Sequence, residues 1–218
     1  MNKPLKVLTL ITAMGLSGTA NAVLITPPGL APGETYQLVF VTSGTTTATS
    51  SDISYYNNFA QTAASAAGMG SVIWHAIGST LSIDANSNAV VSAKVYNMSG
   101  ELVATGFSDF WDGNHTVGVG IDFDENGMPR NFNVWTGSNT DGTDAGSFAL
   151  GNERAVWAES TLSSGAWINR GTQYTTVSYS LYALSEPLSA PIPEPETYAM
   201  MLAGLSLVGF AARRRVAD

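Results

Sequence analysis

Apolar positions along the chain change their period several times, and each change predicts an element. Residues 36–42 (Tyr-Gln-Leu-Val-Phe-Val-Thr) are a short run rich in β-branched and aromatic side chains, which predicts a buried strand. From residue 53 the period lengthens: Ile53, Tyr56, Phe59 with Ala60, Ala63 and Ala67 fall on one face of a helix. Ser50 or Ser51 can cap its start, Asp52 suits its positive end, and Gly68 stops it. Beyond Gly70 the apolar runs are short and punctuated by Gly, Asn, Asp and Ser. They predict strands at 72–77, 93–97, 101–105, 116–123, 131–136, 155–158 and 175–184. Met98-Ser99-Gly100 and Asp124-Glu125-Asn126-Gly127 predict hairpin turns. The class is α+β: a single domain of mostly antiparallel strands with one main helix.

The two ends follow other patterns. Lys3 and Lys6 precede an apolar stretch at 7–16, and Ala20-Asn21-Ala22 follows it, giving the charged, greasy and cleavable parts of a secretory signal. Cleavage after Ala22 is expected, with the secretion machinery as partner. At the other end, residues 185–195 hold four prolines and read as a linker. Sixteen uncharged residues follow at 197–212. As a helix they span about 24 Å, against a bilayer core of about 30 Å. The span suffices only if Arg213, Arg214 and Arg215 snorkel to the cytoplasmic interface, which leaves the preceding domain in the periplasm. The expected organisation is a signal peptide at 1–22, a globular domain at 23–186, a Pro-rich linker at 187–196, a transmembrane helix at 197–212 and a basic tail at 213–218.

Charge and cysteine usage narrow the function classes. Between residues 23 and 190 four basic residues face fourteen acidic ones, a formal charge of −10. Such a surface repels nucleic acid and anionic lipid. The chain has no cysteine, so thiol nucleophiles and thiolate metal sites are excluded, and the fold must rest on an apolar core in an oxidising compartment.

The tail carries a resemblance. Pro193-Glu194-Pro195, then Tyr198-Ala199-Met200-Met201-Leu202-Ala203-Gly204-Leu205, then Gly209-Phe210-Ala211-Ala212-Arg213-Arg214-Arg215 closely resembles the PEP-CTERM sorting domain of Gram-negative bacteria. The resemblance implies recognition by an exosortase, a membrane cysteine protease or transpeptidase, which removes the tail near Pro193-Glu194-Pro195. It also implies transient anchoring in the inner membrane, then release to the cell surface or extracellular matrix, in association with exopolysaccharide or biofilm. A second resemblance lies in the middle. One helix after the first strand, "VYNMSGELV" leading to "FSDFWDG", then "VWTGSNTDG" and a last strand "SYSLYALSE" resemble the endostatin-like branch of the C-type lectin-like fold. Ala183 stands where that branch often has a cysteine. The resemblance implies a compact domain with adjacent termini and a binding role rather than catalysis.

Candidate chemistry is sparse. Asp122, Asp124 and Asn126, followed by Gly127, match the opening of a calcium loop, but its twelfth position is Asn133 where a bidentate Glu belongs, and a plain hairpin turn explains the same residues. Trp111, Asp112, Trp135 and Asp141, with Asp109 and Asp144 nearby, offer aromatic faces and carboxylates for a glycan; core packing of the tryptophans is the competing reading. His75 and His115 have no metal-like spacing, and no G-x-S-x-G elbow is present. The expectation is an exported, non-enzymatic protein without a required cofactor. A calcium- or glycan-binding module and an exported hydrolase stand as alternatives.

Overall fold

A computed structural model describes residues 24–193 and 200–206. The signal peptide expected at 1–22, with Ala20 and Ala22, lies outside the described residues, as do Glu194, Pro195 and Arg213, Arg214 and Arg215. Residues 200–206 are helical, and no helix among the described residues is long and apolar enough to cross a membrane. The span expected at 197–212 runs beyond the described residues at both ends.

The fold is α+β, with one open sheet and few helices. Its strands are β1 (Thr35–Val41), β2 (Trp74–Ala76), β3 (Lys94–Asn97), β4 (Leu102–Ala104), β5 (Asn133–Trp135), β6 (Arg154–Glu159), β7 (Gly171–Tyr174), β8 (Ser180–Ser185) and β9 (Leu188–Ser189). They run in the order β4-β3-β1-β8-β5-β6-β7, with β2 beside β8 and β9 beside β1. The first and last long strands, β1 and β8, are antiparallel neighbours at the centre.

β1 is buried along almost its whole length because both faces of the sheet are covered. Alternation sends Tyr36, Leu38 and Phe40 into one core and Val39 and Val41 into the other. The first core is closed by helix α1 (Ile53–Ala66), whose Tyr56, Ala60 and Ala64 recur every four residues and are fully buried. Small alanines on that face let the helix lie close to the sheet. Asp52 itself is the N-cap, its carboxylate accepting the Ser54 N–H at 2.9 Å, so the serine caps expected from sequence give way to it. Gly68, at φ 85°, ends the helix in the left-handed conformation that glycine tolerates.

Among the described residues no long helix lies over the second core. Two short helices, α2 (Ala85–Asn88) and α3 (Phe107–Phe110), and the 3-10 turn at Gly165–Trp167 cover it instead. Its centre is aromatic: the Trp167 ring lies 5.1 Å from Phe110, 5.9 Å from Tyr182 and 4.1 Å from the His115 imidazole. Neither ring nitrogen of His115 meets a partner among the described residues. Burial pulls its pKa down to about 3, so it stays neutral in the folded protein.

Several expected elements differ. No strand forms at 116–123, because Gly118 turns the chain at φ 80° and Gly120 passes so close to Ser160 that a Cβ would meet its carbonyl at 2.6 Å. The strand expected at 175–184 starts only at Ser180, with Tyr179 making an isolated bridge to Thr46. β7, α2 and α3 carry too little apolar periodicity to stand out in the sequence. The linker expected at 187–196 is in part a strand: Leu188 and Ser189 pair with Tyr36 and Thr35.

One polar side chain lies within the β1 ladder. Gln37 is fully buried, and its amide donates to the carbonyls of Val90 (3.0 Å) and Ser185 (2.7 Å). Its oxygen accepts from the N–H groups of Ser92 (2.7 Å) and Ala93 (3.2 Å). Replacing Gln37 with Leu strands four backbone groups and is expected to cost roughly 3–5 kcal/mol, read as a lower denaturation midpoint at unchanged slope. Acid acts on the aromatic core. His115 binds a proton more readily unfolded, near its ordinary pKa, than folded, so its contribution is complete above that value. As pH falls from about 6.5 towards 3 stability should drop by up to about 1.4 kcal/mol per unit, and His115→Phe should flatten that slope in pH-dependent unfolding.

Candidate functional site

A cleft on the described surface sits where the partner of β1 is interrupted. β8 pairs Leu184 with Val39, and β9 pairs Leu188 with Tyr36. Three steps along β1 thus face four along its partner, so the Ser185–Glu186–Pro187 stretch carries one extra residue, as a β-bulge does. The Ser185 hydroxyl accepts the Leu38 N–H at 2.9 Å in place of a backbone carbonyl. Glu186 donates its N–H to the Ile73 carbonyl at 2.9 Å, and Pro187 has none to offer. The bulge turns the Glu186 side chain to the surface beside β2, where its carboxylate stands 3.8 Å from His75 Nε2.

The resulting cleft, about 440 Å³, is lined by His75 and Glu186, by Ser87 and Asn88 at the end of α2, by Val90 and Ser92 on the loop to β3, and by Ser185 and Pro187. Side-chain amides, one of them buried, hold its walls. Gln37 ties the bulge to the 90–93 loop through the four bonds described above. Asn57 of α1 and Asn88 exchange two side-chain hydrogen bonds, at 2.9 and 2.8 Å, and both also bond Ala76 of β2. Glu186 and His75 form the one acid–base pair in the cleft. Among the described residues, His75 Nδ1 is buried without a hydrogen-bond partner, and no serine hydroxyl meets it.

The site residues expected from sequence lie elsewhere and serve local structure. Asp124 is fully buried, and both its oxygens are committed: Oδ1 accepts from the N–H groups of Asn126 (2.9 Å) and Met128 (3.0 Å), and Oδ2 accepts from Arg130 Nε and Nη2, each at 2.7 Å. The calcium geometry suggested for Asp122, Asp124 and Asn126 is therefore replaced by a closed hairpin turn with Gly127 at φ 73°. Burial raises the Asp122 carboxyl above its ordinary pKa. Glu125 is likewise occupied, by the N–H and hydroxyl of Ser43.

Trp111 and Trp135 are core residues, which corrects the glycan role suggested for them. Trp135 is fully buried and stacks on Tyr179 at 4.7 Å. Trp111 is roofed by Gly142, where even a Cβ would meet its ring at 2.5 Å. Asp112 accepts the Asn114 N–H, and Asp141 accepts the N–H and hydroxyl of Thr143, which hold its pKa down. Asp109 and Asp144 close turns of their own on Thr105 and Gly146. Among the described residues no group of three or more acidic or histidine side chains converges to hold a metal.

Sequence reasoning missed the cleft. Two signals in the chain could have marked it: a lone Gln inside an apolar strand, and a Glu-Pro pair interrupting the last one. Millimolar calcium should leave the melting temperature unchanged, because Asp124 has no free lone pair. Asp124→Ala should lower stability by about 2–4 kcal/mol through the uncompensated Arg130 and two unpaired N–H groups, measured by denaturant titration.

The comparisons with known proteins bear on the chain's end. Comparison with curated proteins gives no match. The PEP-CTERM protein-sorting motif matches residues 191–215, beginning one position after Ala190, a core residue 4% exposed. The protein thus carries a PEP-CTERM sorting motif joined directly to its folded domain, which marks it as an exported protein sorted by an exosortase.

Proposed function

We propose that the chain is a non-catalytic binding or structural protein of the bacterial envelope or extracellular matrix. It is delivered by its N-terminal signal, held briefly at the inner membrane as a precursor with a periplasmic domain, and released when an exosortase removes the tail. Exopolysaccharide or a biofilm matrix is the setting this reading gives it, with polysaccharide as its partner. The observation that carries the reading is the junction at Ala190: β9 ends the fold where the motif begins. A domain built flush against a sorting signal is cargo, presented whole to the processing enzyme.

A lectin-like architecture is part of the proposal. It is supported by the antiparallel pairing of β1 with β8, by α1 as the first element after β1, and by the loop-rich stretch between β4 and β6. A binding role is supported by a braced cleft in which, among the described residues, no hydroxyl meets His75 Nδ1. Calcium has no part in this reading.

The test is the intact mass of the protein recovered from its host. Loss of the first 22 residues and of everything beyond the Pro193-Glu194-Pro195 region is expected. Replacing Pro193 and Pro195 together by alanine should leave the full tail on and the protein in the membrane fraction. Native material still carrying Met200 through Arg215 would overturn the processing step, and turnover of model esters, peptides or glycosides by the purified chain would overturn the non-catalytic one.

A further inference from the structure

We propose that the cleft at the interruption between β8 and β9 is a binding site for a neutral saccharide, gripped by Glu186, His75, Ser87 and Ser92 against the apolar surfaces of Val90 and Pro187. The proposal rests on the reading of the domain as a binding module and names the chemistry of its ligand.

Size comes first. About 440 Å³ falls within the roughly 300–1,000 Å³ of ligand clefts. Charge then selects the class. Among the described residues no lysine or arginine lines the cleft, Glu186 is its one carboxylate, and the domain around it is strongly acidic, so an anionic ligand is repelled. A cationic ligand would have to compete with the His75 imidazole already facing Glu186 at 3.8 Å. A neutral polyol escapes the repulsion and, unlike a lone cation, can also use the serine hydroxyls beside Glu186.

The lining also matches such a ligand group by group. The Glu186 carboxylate only accepts, so it suits the hydroxyl donors of a sugar. The hydroxyls of Ser87 and Ser92 both donate and accept, and both residues are exposed. Val90, 55% exposed, and Pro187 present apolar surface to the C–H side of a ring. Exposed serines alone would not make a site. The distinguishing observation is the bracing: the buried amide of Gln37 and the half-buried amides of Asn57 and Asn88 hold the bulge, the 90–93 loop, α2 and β2 at fixed positions around the space. Fixed walls reduce the ordering cost of binding, as a preorganised site requires.

The test uses the full-length chain in a non-glycosidic detergent. Cellobiose, maltose and chitobiose serve as neutral probes, with digalacturonate and glucosamine as the anionic and cationic comparators. The two histidines give separate ring-proton signals, and His115 is a buried internal control. A neutral disaccharide should shift the His75 signal saturably and leave that of His115 in place. Glu186→Ala and Val90→Lys, both at exposed positions, should each weaken binding about tenfold, or about 1.4 kcal/mol, by saturation-transfer titration. The proposal is overturned if no neutral probe moves His75, if both variants bind as well as the parent chain, or if either charged comparator binds as tightly. None of these readouts depends on tail processing, so failure here leaves the sorting reading standing, and the reverse.

Discussion

The structure turns on one amide. Gln37 sits in a central strand buried at all but its first residue, on the face that carries Val39 and Val41 into the second core. A polar group there is tolerable only if every donor and acceptor is matched, and its two donor and two acceptor bonds do that. The partners are backbone groups in two segments, a loop and a strand break, that have no ladder of their own to satisfy them. The same four bonds therefore solve a burial problem and create a surface feature. An apolar residue at 37 would suit β1 taken alone and leave the bulge and the 90–93 loop without an anchor.

Acidic residues show the opposite economy. The domain has many, yet Asp112, Asp124, Asp141 and Asp144, whose spacing suggested calcium or sugar, each close a short turn on a nearby backbone N–H. Asp124 goes furthest, saturated by two N–H groups and a bidentate Arg130. Asp and Asn at such positions are chosen for the dihedrals and local acceptors that a loop-rich fold needs. The domain lacks disulfides, and these small closures between Thr105 and Gly146 do some of the constraining that cross-links do elsewhere.

Continuity between fold and motif shapes the protein's end. β9 is only two residues long, but Ala190 donates to the Glu34 carbonyl and accepts from the Gly33 N–H, so the chain is held against the domain up to the motif's first residue. The strand break that makes the cleft is the same break that redirects the chain towards this exit. Cleft and tail are thus neighbours along one stretch, residues 185–193.

How much of this was legible in the sequence differs by level. Composition and pattern alone determined the α+β class, β1, the position of α1 and the Met98-Ser99-Gly100 and Asp124–Gly127 turns, and a family resemblance of the tail marked the sorting motif, because each depends on residues close together in the chain. Local signals failed where a distant partner decides the outcome. Residues 116–123 look like a strand but lie where Gly120 must slip past the Ser160 carbonyl, and Trp111 and Trp135 look like binding aromatics until the sheet closes over them. The cleft was invisible for the same reason: Gln37, Asn57, His75, Asn88 and Glu186 are spread over 150 positions. Only the pairing of β1 with a strand that arrives at the end of the chain brings them to one place.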